Sequence, residues 1–175
     1  MDESKWSFGD NTGCPVDCGG GNDYKQTFRR ESATVSNGIL RILATRIPNT
    51  ANRWYSAMIW TKQTFSFLYG RVDVRIRFQK GNGPFGGCNL IARDNVYGSW
   101  PLSGELNIVK YSAAWNGHTS HAFHFSNFLE HRLPNSDVDT FKVYTLIWDP
   151  NRLSILAQGT EILSYNRPGD SPSQW

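Results

Sequence analysis

Hydrophobic and polar residues alternate along short stretches of this chain, most clearly between residues 71 and 78. Val72, Val74 and Ile76 fall on one side of an extended segment, and charged residues fall on the other. Side chains of a β-strand point alternately to its two faces, so the pattern predicts a half-buried strand. Similar reasoning predicts strands over residues 38–45, 56–61, 70–78, 89–93, 105–111, 119–126, 143–149 and 153–158.

Turn-forming residues separate these stretches, as in Asn37-Gly38, Asn116-Gly117 and the glycine-rich segment 80–84. The chain has 16 glycines, 8 prolines and no long helical period. Short strands with frequent turns predict an all-β fold, a jelly-roll β-sandwich, and 175 residues fit a single domain over 1–175.

Charge and hydropathy exclude two classes of partner. The net charge is +3, with 18 basic and 15 acidic residues interspersed, so no basic stripe marks a nucleic-acid surface. No apolar stretch approaches the roughly 20 residues that span a membrane. We therefore expect no nucleic-acid partner and no membrane span. The first four residues do not resemble a signal peptide, so we expect a mature product with an added methionine or an internal fragment.

The cysteines are odd in number. Cys14 and Cys18 are close enough in sequence to close a small disulfide loop, with Cys88 left as a buried apolar side chain. A zinc site on Cys14 and Cys18 would need two more ligands, and all four histidines lie beyond residue 117 without zinc-finger spacing. We predict no metal site there.

Candidate chemistry lies in the segment Ser-Gly-Glu-Leu-Asn-Ile-Val-Lys at residues 103–110. On a strand, Glu105 and Asn107 point the same way, and a third side chain joins them from position 109, or from 110 if one bulged residue intervenes. Hydrolysis of a glycoside with retention needs two carboxyl groups on either side of the bond. Only one is present in this segment.

This segment resembles Ser-Gly-Glu-Ile-Asp-Ile-Met-Glu of the laminarinase-like members of glycoside hydrolase family 16. Further resembling segments follow in the family's order at 19–23, 36–42, 55–59, 67–75, 100–105, 123–125 and 144–153. The resemblance implies a jelly roll of the concanavalin A-like lectin and glucanase type, a secreted protein and, as in some relatives, a structural calcium ion. It also implies that the last C-terminal strands are lacking, and we expect a homo-oligomer to complete the sheet.

The same alignment assigns roles to individual residues. Glu105 falls on the family's nucleophile, Asn107 on the aspartate between, Val109 on the bulge and Lys110 on the acid/base glutamate. An ammonium within about 4–6 Å lowers the pKa of a carboxyl group and tends to pair with it. Loss of the general acid lowers the rate of hydrolysis roughly 10²–10⁴-fold. Because Lys110 replaces the family's acid/base glutamate, the resemblance argues against an efficient enzyme.

Aromatic residues around this strand are candidates for stacking on sugar rings. In the family segment that corresponds to 85–91, an aromatic residue is replaced here by Asn89 or Cys88. Trp100, Trp115 and His124 remain as candidate glycan contacts. Asn22, in the glycine-rich segment, and Asn89 complete the predicted contact set.

Three hypotheses follow for function. The first is a catalytically degenerate protein that binds β-1,3-glucan or a related microbial polysaccharide, similar to the β-1,3-glucan recognition proteins and coelomic cytolytic factors of innate immunity. The second is a weak endo-β-1,3(4)-glucanase that uses Glu105 with another acid. The third is a scaffold reused for structure or assembly.

Overall fold

A computed structural model describes residues 1–9, 25–50, 53–81, 83–115, 117–134 and 137–167. The chain divides into two compact units, residues 1–66 and 67–175, which we describe separately. None of the helices in the described ranges has the length and apolar character needed to cross a membrane.

The first unit contains seven short strands and one 3₁₀-helix, Arg30–Ser32. In chain order the strands are β1 (Ser7–Phe8), β2 (Gln26–Phe28), β3 (Ala33–Ser36), β4 (Ile39–Ile42), β5 (Thr45–Arg46), β6 (Trp54–Ser56) and β7 (Ile59–Trp60). β3 and β4 form a hairpin whose turn residues, Asn37 and Gly38, both have positive φ, 52° and 71°. Asn-Gly tolerates this conformation, which matches the twist of the two strands.

The second unit carries eight strands in two four-stranded antiparallel sheets, and one 3₁₀-helix, Ala113–Trp115. The strands are β8 (Gly70–Ile76), β9 (Phe85–Ile91), β10 (Glu105–Ser112), β11 (His118–His124), β12 (Phe128–Pro134), β13 (Lys142–Trp148), β14 (Arg152–Ala157) and β15 (Thr160–Asn166). The order is β12-β11-β10-β9 in one sheet and β15-β14-β13-β8 in the other.

A hydrophobic core joins these two sheets. β10 and β11 contribute Ile108, Val109 and Phe123, which are completely buried. β13 and β14 contribute buried side chains from the opposite sheet, among them Leu146 and Leu153. Because the inward faces of the two sheets pack on one another, the second unit is a β-sandwich. The prediction of an all-β jelly-roll fold is confirmed.

A β-bulge interrupts β10 between Asn107 and Lys110. Relative to β11, Asn107 lies opposite Ala122 and Lys110 opposite Ser120, so β10 contains one extra residue. Both Ile108 and Val109 are therefore buried in the core. The extra residue returns Lys110 to the face that carries Glu105. The sequence is compatible with either residue 109 or residue 110 on this face, and the structure places residue 110 there.

His121 accepts and donates the hydrogen bonds that stabilise the bulge from within the core. Its Nδ1 lies 2.6 Å from the carbonyl oxygen of Ile108, so Nδ1 carries the proton and donates. Its Nε2 then accepts from the Thr119 hydroxyl at 3.0 Å. Burial lowers the pKa of His121 to about 4, although the Ile108 carbonyl favours the protonated ring. The ring is neutral at pH 7.

Several predicted strands have different bounds in the structure. The 56–61 stretch is two strands, β6 and β7, with Ala57 and Met58 between them. β9 begins at Phe85 rather than 89 because residues 85–88 pair with the end of β10. Gly86 and Gly87 take part in this pairing. β12 was not predicted, although Leu129 and Leu133 alternate with polar residues and pack on the core. Cys14 and Cys18 lie outside the described residues.

Candidate functional site

One face of the sheet formed by β9–β12 points away from the core and carries the candidate site. The strand register aligns its residues in rows across the sheet. The first row is Ile91, Glu105, His124 and Phe128; the second is Asn89, Asn107, Ala122 and Glu130; the third is Gly87, Lys110, Ser120 and Arg132. We call this set the site face. Directly opposed residues of antiparallel strands share a face, so the rows lie side by side.

Glu105 is held by three donors from the chain. Its Oε1 accepts from Lys110 Nζ at 2.9 Å and from Asn89 Nδ2 at 3.2 Å. Its Oε2 accepts from the indole Nε1 of Trp100 at 2.8 Å. Glu105 is only 9% exposed, so these donors replace water around the carboxylate. Both oxygens are therefore hydrogen bonded before any ligand arrives.

The charge on Glu105 follows from its partners. Burial raises the pKa of this carboxyl group, but the hydrogen bond and positive charge of Lys110, with the Trp100 indole, outweigh burial. The net pKa lies below its ordinary value, so Glu105 is ionised at neutral pH. A carboxylate in a stable ion pair is a poorer nucleophile because attack on a sugar would break that pair.

Gly87 provides the space through which Lys110 reaches Glu105. It lies directly opposite Lys110 on β9. A Cβ atom built on Gly87 would lie 2.5 Å from the Val109 carbonyl oxygen and 2.9 Å from Lys110 Cγ. Contacts that short are repulsive, so glycine is the residue that lets the lysine stem pass over β9.

Asn107 lies between Glu105 and Lys110 on the same face and is 1% exposed. Its Oδ1 has no hydrogen-bond partner among the described residues. An aspartate here would bury a negative charge beside Glu105, whereas the amide is neutral and avoids that repulsion. Along β10, Asn107 therefore lies between the two members of the Glu105–Lys110 ion pair.

The aromatic residues that were predicted as glycan contacts lie in two places. Trp100 is 61% exposed, and its ring centroid is 5.7 Å from that of His124, which in turn lies 4.6 Å from Phe128. Burial lowers the pKa of His124, against the opposing effect of Glu105. These three rings border the Glu105 end of the site face.

Trp115 lies past the other end of β10. It lines a pocket of about 340 Å³ with Ala114, His118 and Arg132. The sequence singled out Trp115 but not Arg132, which sits on the unpredicted strand β12. The alternation of β12 would have placed Arg132 on the same face as Glu130. The structure also decides between Cys88 and Asn89: Cys88 packs against the core, and Asn89 bonds Glu105.

Two further expectations concern ligands and contacts. Asn22 lies outside the described residues. Within the ranges that the structure describes, no three histidine, cysteine, aspartate or glutamate side chains are grouped so that they could hold a metal ion. A structural calcium ion stays a prediction.

Comparison with known proteins places this arrangement in context. The sequence model described as "Glycosyl hydrolases family 16" matches residues 20–174. The glucan endo-1,3-beta-glucosidase A1 of Niallia circulans is 27% identical over 91% of this chain. The beta-1,3-glucan-binding protein of Penaeus monodon is 36% identical over 35% of this chain. The laminarinase structure from Rhodothermus marinus superposes over 100% of this chain and 75% of its own, with a TM-score of 0.84 and 23% sequence identity.

The matched relatives are longer proteins. This chain spans 26% of the Niallia circulans protein and 17% of the Penaeus monodon protein. At 23% identity, the structural likeness to the laminarinase establishes the fold alone.

Proposed function

Because this chain belongs to glycosyl hydrolase family 16, we propose that it binds a β-1,3-glucan or a related polysaccharide on the site face without hydrolysing it efficiently. The observation that carries this proposal is the 2.9 Å ion pair between Lys110 Nζ and Glu105 Oε1. By the family resemblance, position 110 is that of the proton donor, so a lysine paired with Glu105 there supports a loss of hydrolysis.

The chemistry of retention explains why this pair matters. A retaining glycosidase needs two carboxyl groups about 5–5.5 Å apart, one to attack the sugar and one to protonate the leaving oxygen. Here the side chain at position 110 is an ammonium in contact with Glu105, so no sugar fits between the two groups.

Binding has separate support on the same face. Trp100, His124 and Phe128 present ring surfaces, and sugar rings stack on aromatic faces through their C–H groups. The names of two relatives describe glucan binding rather than cleavage, the Penaeus monodon protein and the beta-1,3-glucan-binding protein 2 of Manduca sexta. From these ring surfaces and these two relatives, we propose that the protein is secreted and recognises microbial polysaccharide.

A direct test compares binding with cleavage on one substrate. The purified chain should sediment with an insoluble β-1,3-glucan and release no reducing sugar from laminarin. Trp100→Ala should weaken sedimentation, because it removes an exposed ring beside Glu105. Trp148→Phe, in the opposite sheet, is the matched control and should bind as the parent does.

The lost charge pattern supplies a second test. The double variant Asn107→Asp, Lys110→Glu restores two acidic side chains, and we expect it to release reducing sugar from laminarin under conditions in which the parent releases none. Hydrolysis by the parent chain that Glu105→Gln abolishes would disprove the non-hydrolytic proposal. No sedimentation with glucan by the parent would disprove binding.

A further inference from the structure

Charges on the site face are segregated along the strand direction. Glu105 and Glu130 occupy the first two rows, while Lys110 and Arg132 share the third row, with Ser120 between them. His118, the first residue of β11, lies beyond that row. The acidic groups thus lie nearer the rings of Trp100 and His124 and the basic groups nearer the Trp115 pocket, and each acid pairs with a base, Glu105 with Lys110 and Glu130 with Arg132.

Arg132 lies at this pocket in a geometry suited to an anion. Its guanidinium carbon is 5.3 Å from the centroid of the Trp115 ring, so the group is held over an aromatic face. Its ion pair with Glu130 uses Nε, at 3.3 Å, and the same Glu130 oxygen accepts from the Ser120 hydroxyl at 2.6 Å. Among the described residues, no partner takes the two terminal nitrogens of Arg132. A guanidinium presents such a pair as a planar fork that matches carboxylate or sulfate oxygens.

His118 adds a polar group of known orientation. Its Nδ1 lies 2.8 Å from the carbonyl oxygen of Trp115. A carbonyl only accepts, so Nδ1 donates this bond and Nε2 is the ring nitrogen that can meet a ligand. That bond also fixes the 3₁₀ turn that carries Trp115. Phe85 supports the indole from the side, at 6.4 Å between ring centroids.

We propose that the pocket formed by Trp115, His118 and Arg132 binds a saccharide unit that carries a negatively charged substituent, a carboxylate or a sulfate. The sugar ring contacts Trp115, the charged group lies against the fork of Arg132, and a ring hydroxyl hydrogen bonds with His118 Nε2. The depression that these residues line has a volume of about 340 Å³ and is open to solvent. This inference rests on the proposed function, because it specifies which polysaccharides the site face prefers.

Small sugars test the pocket independently of polymer binding. Methyl β-glucuronide, glucose 6-sulfate and methyl β-glucoside are titrated into ¹⁵N-labelled chain, and the indole N–H signal of Trp115 is followed, with its assignment from Trp115→Phe. We expect the two anionic sugars to shift this signal with affinities about tenfold higher than the neutral sugar. The relative size of the two responses distinguishes a carboxylate from a sulfate. No shift, or equal shifts with the neutral sugar, would overturn the proposal even if the chain binds glucan.

A charge-matched pair of variants then locates the preference. Arg132→Gln should remove the tenfold preference for anionic sugars over the neutral sugar. Arg71→Gln removes an equal charge from a pair with Asp73 on β8 and should keep the preference. A preference that survives Arg132→Gln would also overturn the proposal. Failure of the parent chain to sediment with neutral glucan bears only on the proposed function, since these titrations use single sugars.

Discussion

Acidification should destabilise this fold through His121. The ring is completely buried and neutral, with its Nε2 accepting from Thr119. Its pKa is lowered from 6.5 to about 4 in the folded state. The unfolded chain therefore binds more protons between these two pH values, so stability is complete above pH 6.5 and falls as the pH drops towards 4. A shift of one pKa unit corresponds to about 1.4 kcal/mol, so the lowered pKa of His121 removes about 3 kcal/mol from the free energy of unfolding as the pH falls to 4.

Urea unfolding at a series of pH values between 7 and 4 measures this loss. Between pH 7 and pH 4, the free energy of unfolding should fall by about 3 kcal/mol less in His121→Gln than in the parent chain. Phe123→Leu is the control on the same strand: it removes buried volume without a titrating group, so its loss should be the same at every pH. Parallel pH profiles for the parent and His121→Gln would refute the assignment of a neutral, buried histidine.

Three further changes test the packing and charge of the same unit. Lys110→Met should raise the pKa of Glu105, measured from its side-chain carboxyl ¹³C shift, and an unchanged titration would show that the ion pair does not hold that pKa down. Gly87→Ala should destabilise the fold by roughly 1–3 kcal/mol in urea unfolding, because the added Cβ overlaps the Val109 carbonyl; a neutral effect would contradict the close approach. Leu153→Ala should cost about 2–5 kcal/mol in the same assay, and a loss under 1 kcal/mol would mean that the two sheets do not share one core there.

Strands of the second unit were largely predictable because their hydrophobic period is regular. The alternation of Val72, Val74 and Ile76 marks β8, and these residues pack on the core as expected. β9 was shortened in the prediction since Gly86 and Gly87 are typical of turns. Pairing with β10 overrides that local preference, and Gly87 is needed there for its lack of a side chain.

The site was predictable only in part. Family resemblance identified Glu105, Asn107 and Lys110, and the alternation of a strand with one bulge placed them together. The pairing of Lys110 with Glu105 was predicted, but the hydrogen bonds from Asn89 and Trp100 were not, because these residues come from separate segments whose register is set by tertiary pairing. Arg132 was missed for the same reason: only cross-strand register brings it alongside Ser120 and towards Trp115.

Both carboxylate oxygens of Glu105 already accept hydrogen bonds from the chain, which limits how strongly this group could bind a single sugar. Under the proposed function, hydroxyls would gain little by displacing the partners of Glu105, so a sugar unit at this end of the site face would be held mainly by the rings of Trp100, His124 and Phe128. Under the proposed function such contacts are individually weak, so firm binding would rest on several sugar units of one polymer lying against the site face at once.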